Sequence, residues 1–169
     1  MTYFQLFEIP VQLKVDRTAL SKKFFELSRT YHPDFFTNES DEKQAEVLEK
    51  SAILNKAWKT FQSSDATIKY VLMEKKLLEE EEKYELPPAF LMEVMDINEL
   101  LMDTDDAEAT KNIQQTIDNL QAEIYEPVVK TVEEYKEGVT TEAELLQVKD
   151  YYYKKKYLDR IRQQLAGMA

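Results

Sequence analysis

Apolar side chains at Leu20, Phe24, Leu27 and Tyr31 recur in steps of three and four, which places them on one face of a helix. Asp16 stands where an N-cap belongs. Pro33 ends the run, because proline disfavours helical geometry in the residue before it. After the polar loop FTNESD, Ser40 or Asp41 caps a second helix to about Phe61, with Val47, Leu54, Trp58 and Phe61 on its stripe. The residues SSD open a shorter helix through Tyr70, Leu72 and Met73. Pro87 and Pro88 then suit the start of a helix from about Ala89 to Met102. The longest pattern follows: Ile113, Ile117, Leu120, Ile124, Val128, Val132 and Tyr135. Pro127 should kink or divide that helix, since it removes one backbone hydrogen bond, and Gly138 should end it. Thr140 or Thr141 caps a last helix to about Leu165. In it, Leu145, Val148, Tyr152, Leu158 and Leu165 share one face, with Leu146, Tyr153 and Tyr157 roughly opposite.

Two glycines in 169 residues are too few for the tight turns of a β-sandwich, and charged helix formers dominate, so the fold class is all-α. Charge divides the chain. Residues 1–75 hold 11 basic and 11 acidic side chains, whereas residues 76–169 hold 11 basic and 22 acidic ones. The stretch KKLLEEEEKYELPP marks the change, giving a first domain over 1–75, a linker over 76–88 and a three-helix antiparallel bundle over 89–169. An acidic second half disfavours nucleic acid, because phosphate binding needs a positive field. The run YYYKKKY does not outweigh that field. Without cysteine there is no thiolate metal site, a zinc site would need mostly carboxylates because there is one histidine, and no metal or cofactor is expected. The opening MTYFQLFEIP lacks the basic segment and apolar core of a signal peptide, and no apolar run has the length of a membrane span. A cytoplasmic location away from membranes is the expectation.

That single histidine lies in TYHPDFF. Taken bare, His32-Pro33-Asp34 reads as a helix stop with an Asx turn. Its setting adds more: two amphipathic helices flank it, Tyr31 precedes it, and Leu54-Asn55-Lys56-Ala57-Trp58 follows about twenty residues later. The arrangement resembles the J domain of DnaJ-type co-chaperones, a helical hairpin with His-Pro-Asp at its tip. The resemblance continues beyond that domain. TYFQLFEIP, LNKAW, AFLMEVMDINEL and the closing KYLDRI together are similar to the HscB family, the J-protein co-chaperones of iron–sulfur cluster assembly. Two departures stand out: Phe35 occupies a position that is often lysine, and Phe25 and Glu26 fill mid-helix positions that are commonly basic in J domains.

This resemblance implies two partners. A DnaK/HscA-class ATP-dependent chaperone would meet His32, Pro33 and Asp34, with its ATPase stimulated. On the preceding helix, Lys22 and Arg29 project away from the Leu20/Phe24/Leu27 stripe with Phe25 between them, as docking on an acidic chaperone surface requires. Lys23 lies nearer the core edge. The second partner would be an iron–sulfur cluster scaffold protein (IscU-like). On the 89–102 helix, Phe90, Val94, Ile97 and Leu101 complete a core stripe, yet Leu91 and Met95 add apolar side chains elsewhere, beside Asp96, Glu99 and Asp103. From Leu91 to Glu108 there are seven acidic residues and no basic one. An apolar centre ringed by carboxylates suits a partner with a basic surface. Tyr157 matches an aromatic contact position of the family. Two alternatives stay open: a J-domain co-chaperone with another client, or a wide buried stripe with a solvated edge. An enzyme built on carboxylates alone would need them paired inside the bundle, where the periodicity puts apolar residues. The reading is therefore of a non-enzyme.

Overall fold

The computed structural model describes residues 1–103 and 106–168, and every regular element among them is helical. The chain forms two compact units: Met1–Val71 together with Glu134–Val139, and Leu72–Glu133 together with Thr140–Ala169.

The first unit opens with the short helix α1 (Tyr3–Leu6), closed by a capping box in which Thr2 and Gln5 bond each other's backbone N–H. Helix α2 (Arg17–Thr30) begins where Asp16 accepts from the N–H groups of Thr18 and Ala19 at 3.0 and 3.2 Å. Helix α3 (Asp41–Phe61) begins at Ser40, which accepts from Lys43 N–H at 3.2 Å. Both caps lie where the polar residues before each stripe place them. Helix α4 (Ser64–Glu74) follows after a brief turn. Leu20, Val47, Leu54, Ala57 and Phe61 are buried as their spacing requires. Phe24 and Trp58 stack at 4.8 Å between centroids across the α2–α3 hairpin. Phe4 and Phe7 from the N-terminal segment pack on Phe61, each at 5.3 Å. Offset and edge contacts of this kind add about 0.5–1.5 kcal/mol each beyond area burial.

In the second unit, α5 (Pro88–Met102) starts with Pro88, whose missing N–H is no loss in a first turn. Helix α6 (Ala107–Tyr125) is capped by Asp106. Pro127 divides the long pattern into α6, a 3-10 turn at Glu126–Val128 and the short α7 (Val129–Glu133). The helix stops well before Gly138. That glycine instead takes φ +80° in a turn closed by Val139 N–H on the Lys136 carbonyl. Helix α8 (Glu142–Met168) opens on a second capping box, Thr141 with Glu144. The Thr141 backbone and hydroxyl hold the Glu144 carboxyl below the ordinary carboxylate range. The core joins Phe90, Val94, Ile97 and Leu101 of α5 to Ile113, Ile117 and Leu120 of α6 and Leu158, Ile161 and Leu165 of α8. Arg162 ties α8 to α6 through Asp118 at 2.8 Å and through Gln121.

The segment over 76–88, expected as a linker, lies against α8 within this unit. Leu78 is buried, Lys149 pairs with Glu82 at 2.7 Å, and the Tyr84 hydroxyl donates to Asp150 at 2.7 Å. Tyr84 also stacks on Tyr153, with centroids 4.5 Å apart. The glutamate run concealed this, because Glu82 and Tyr84 carry the contacts while Glu79, Glu80, Glu81 and Lys83 are exposed.

Candidate functional site

In the turn between α2 and α3, each residue of the tripeptide has a mechanical task. His32 is the N-cap of a 3-10 turn at Pro33–Phe36, its Nδ1 accepting from Asp34 N–H at 3.3 Å. Pro33 occupies the first position of that turn, where a fixed φ costs nothing. The Asp34 carboxylate stays 85% exposed and 3.6 Å from Nδ1. With Nδ1 accepting, Nε2 is left as the ring's donor. The tip thus presents an imidazole donor and a free carboxylate on a backbone ordered by its own side chains. Phe35 is exposed and sets its ring edge-on to His32, with centroids 5.8 Å apart.

Along α2, Lys22, Phe25 and Arg29 are all exposed. Neither Lys22 nor Arg29 makes an ion pair among the described residues. Lys23 differs: it is half-buried and bonded to Glu8 at 2.9 Å, which raises its pKa. Its position at the core edge therefore serves the fold, tethering α2 to the turn after α1.

On α5, Leu91 and Met95 are 38% and 61% exposed, while Phe90, Val94, Ile97 and Leu101 fill the core. Asp96, Glu99 and Asp103 are exposed as well, and Asp105 lies outside the described residues. The structure brings Leu91 and Tyr157 to one groove, together with Leu86. Asp96 instead lines a separate groove toward α6, beside Glu93, Leu100 and Glu123. Met95 and Glu99 line neither of these grooves. Tyr157 requires a correction. It is half-buried and packs on the core cluster, and Tyr153 is half-buried under Tyr84, so of the three residues expected opposite the core only Leu146 is exposed. The 76–88 segment accounts for Tyr153 through the Tyr84 stack, and Tyr157 turns toward the core cluster.

Stripe counting also missed three exposed apolar residues of α5: Met92, Leu100 and Met102. The signal was present, since Leu91–Met102 holds more apolar side chains than one buried stripe accommodates. Leu91, Met92, Met95 and Met102 fall within about 100° of one another on the helix, an exposed apolar face of the kind that marks interaction surfaces, whereas Leu100 lies apart in the groove toward α6. Among the described residues, no helix is long and apolar enough to cross a membrane.

A helical hairpin whose turn presents a self-capped His-Pro-Asp, followed by a helical bundle, is the architecture of a J-protein co-chaperone. The family model of the HSCB C-terminal oligomerisation domain matches residues 86–166. The co-chaperone protein HscB homolog of Vibrio parahaemolyticus is 30% identical over 85% of this chain and 85% of its own length. That of Photobacterium profundum is 27% identical over 98% of this chain and 95% of its own. The crystal structure of human co-chaperone protein HscB superposes with a TM-score of 0.79 at 26% identity, covering 98% of this chain and 81% of that one. The chain belongs to the HscB co-chaperone family.

Proposed function

We propose that this co-chaperone is a two-site adaptor working in the cytoplasm. Its J domain engages a DnaK/HscA-class chaperone through His32, Pro33 and Asp34, with Lys22, Phe25 and Arg29 along the approach, and stimulates that partner's ATPase. Its bundle holds an iron–sulfur cluster scaffold protein through Leu91, Met95 and Tyr157, with Asp96, Glu99 and Asp103 as the acidic surround, and delivers it for cluster assembly and transfer. The observation that carries this reading is the pairing, in one HscB-family chain, of an exposed self-capped tripeptide with an apolar, acid-ringed helix face.

Neither site performs covalent chemistry. A loop stiffened by Pro33 loses little entropy when engaged, so contact energy at the tip goes into holding the partner. The unpaired Lys22 and Arg29 draw in and orient an acidic partner surface, an effect felt mainly in association rate. The carboxylates of α5 do the same for a basic one. Single-turnover ATP hydrolysis by the cognate chaperone tests the proposal, with and without scaffold protein. The expected result is stimulation by this chain that increases when scaffold is present. Stimulation indifferent to scaffold would assign the bundle to another client, and none at all would remove the J-domain role.

A further inference from the structure

The second unit is acidic as a whole, yet one groove on it is lined by cations. About 680 Å³ of space lies between the 82–86 segment, the start of α5 and the middle of α8. Lys83, Lys156 and Arg160 line it, all three exposed and none in an ion pair among the described residues. Two glutamates also line it. Glu82 is already neutralised by Lys149 at 2.7 Å, which leaves Glu85 as the one carboxylate there to oppose three cations. The apolar part comes from Leu91, Tyr153 and Tyr157, and the Arg160 guanidinium sits 5.9 Å above the Tyr157 ring.

Leu91 and Tyr157 are also anchors of the scaffold surface proposed above, and the present inference rests on that reading. We propose that the groove receives an acidic segment of the scaffold protein, its carboxylates meeting Lys156 and Arg160 and its apolar side chains lying on Leu91 and Tyr157. The docking surface would then be bipolar, acidic along the outer face of α5 and basic along the adjoining stretch of α8. Such alternation fixes the register of a partner, because sliding or reversing it sets like charges together. Nucleic acid fits the groove less well, since a polyanion long enough to fill it would also meet the acidic remainder of the unit.

The sign of a charge reversal decides the matter. If the scaffold protein only senses the overall field, making this chain more negative should leave its binding unchanged or tighten it. If a carboxylate enters the groove, Lys156→Glu/Arg160→Glu must weaken it. Titration calorimetry of full-length protein with scaffold protein should show at least tenfold weaker binding by that variant and a smaller loss by Lys156→Gln/Arg160→Gln. Lys56→Glu/Lys59→Glu, the same charge change on the first unit, should not weaken binding. Thermal melts should coincide, because the altered side chains are exposed; should the glutamate variant melt early, the glutamine pair carries the test. Binding by the groove variants equal to that of the Lys56/Lys59 control overturns the proposal. So does binding of a labelled single-stranded oligonucleotide that the reversal abolishes while scaffold binding persists. Failure of the unmodified protein to bind scaffold would instead remove the underlying reading.

Discussion

Leu91→Ala/Met95→Ala should separate recognition from folding. Complete burial of a leucine or methionine side chain is worth about 1.5–3 kcal/mol. Leu91 is 38% and Met95 61% exposed in the free protein, so the bundle already uses the larger part of Leu91 and the smaller part of Met95. Scaling by those fractions puts the folding cost of the double substitution at about 1–2.5 kcal/mol, because alanine's better helix propensity recovers a few tenths. For a chain of this size that lowers Tm by roughly 2–4 °C per kcal/mol. The uncovered remainder, about 1.5–3 kcal/mol for the pair, is what a partner can still gain. Its loss weakens scaffold binding by about 10- to 150-fold. Tyr157 is left intact because it packs on Leu158's core cluster, and truncating it would mix a folding loss into the result. Titration calorimetry beside thermal melts at matched pH makes the measurement. Unchanged affinity with a small drop in Tm would move the site elsewhere; a drop far beyond that range would make Leu91 and Met95 core residues.

His32→Gln should leave circular dichroism unchanged and abolish chaperone stimulation, since the side chain is exposed and its bond is local to the turn; full stimulation in a single-turnover ATPase assay would refute its role. Tyr84→Phe, which removes the bond to Asp150 and keeps the stack on Tyr153, should destabilise the second unit by about 1 kcal/mol in urea melts, and a chain starting at residue 86 should melt below one starting at 76. The second unit should also lose stability in acid. Glu82, Asp118 and Glu144 are held below the ordinary carboxylate range by Lys149, Arg162 and Thr141 respectively, so their contribution is complete above that range and disappears as pH falls through their lowered folded values. Tm followed from pH 6 to pH 2 should fall, and Lys149→Gln should flatten the part due to Glu82; a profile identical to wild type would show that this pair contributes nothing.

The helices and their starts were legible because each capping residue sits directly before a periodic run: Asp16, Ser40 and Thr141 need no tertiary information to act. The tripeptide was equally legible as a marker, though not its mechanics. That His32 caps the turn beginning at Pro33 depends on a side chain accepting a bond two residues ahead. The face of α8 was misread because a helical wheel knows nothing of what lies over it. Four successive glutamates argued for solvent, yet the contacts of Glu82 with Lys149 and Tyr84 with Asp150 lie nearly seventy residues apart in sequence. The covering segment stacks Tyr84 on Tyr153 and Tyr157 packs on the core cluster, so both are half-buried although their spacing alone placed them outside.

That covering segment also bears on which residues are left for the proposed recognition. A partner gains most from apolar area that the free protein leaves wet, and lone charges gain most when they are not already paired. Contacts between the 76–88 segment and α8 already engage the polar groups of Lys149, Asp150 and Tyr84, and the stack on Tyr84 covers one face of Tyr153. What remains available on the unit is the outer face of α5, with Met92 and Met95 uncovered, and the cationic strip from Lys156 to Arg160 that the segment reaches but does not neutralise. On the first unit the same selection holds: Lys23 is consumed by Glu8, whereas Lys22, Arg29 and Asp34 are left to solvent. Internal pairing therefore separates the residues proposed for recognition from neighbours of identical type, as it separates Lys22 from Lys23.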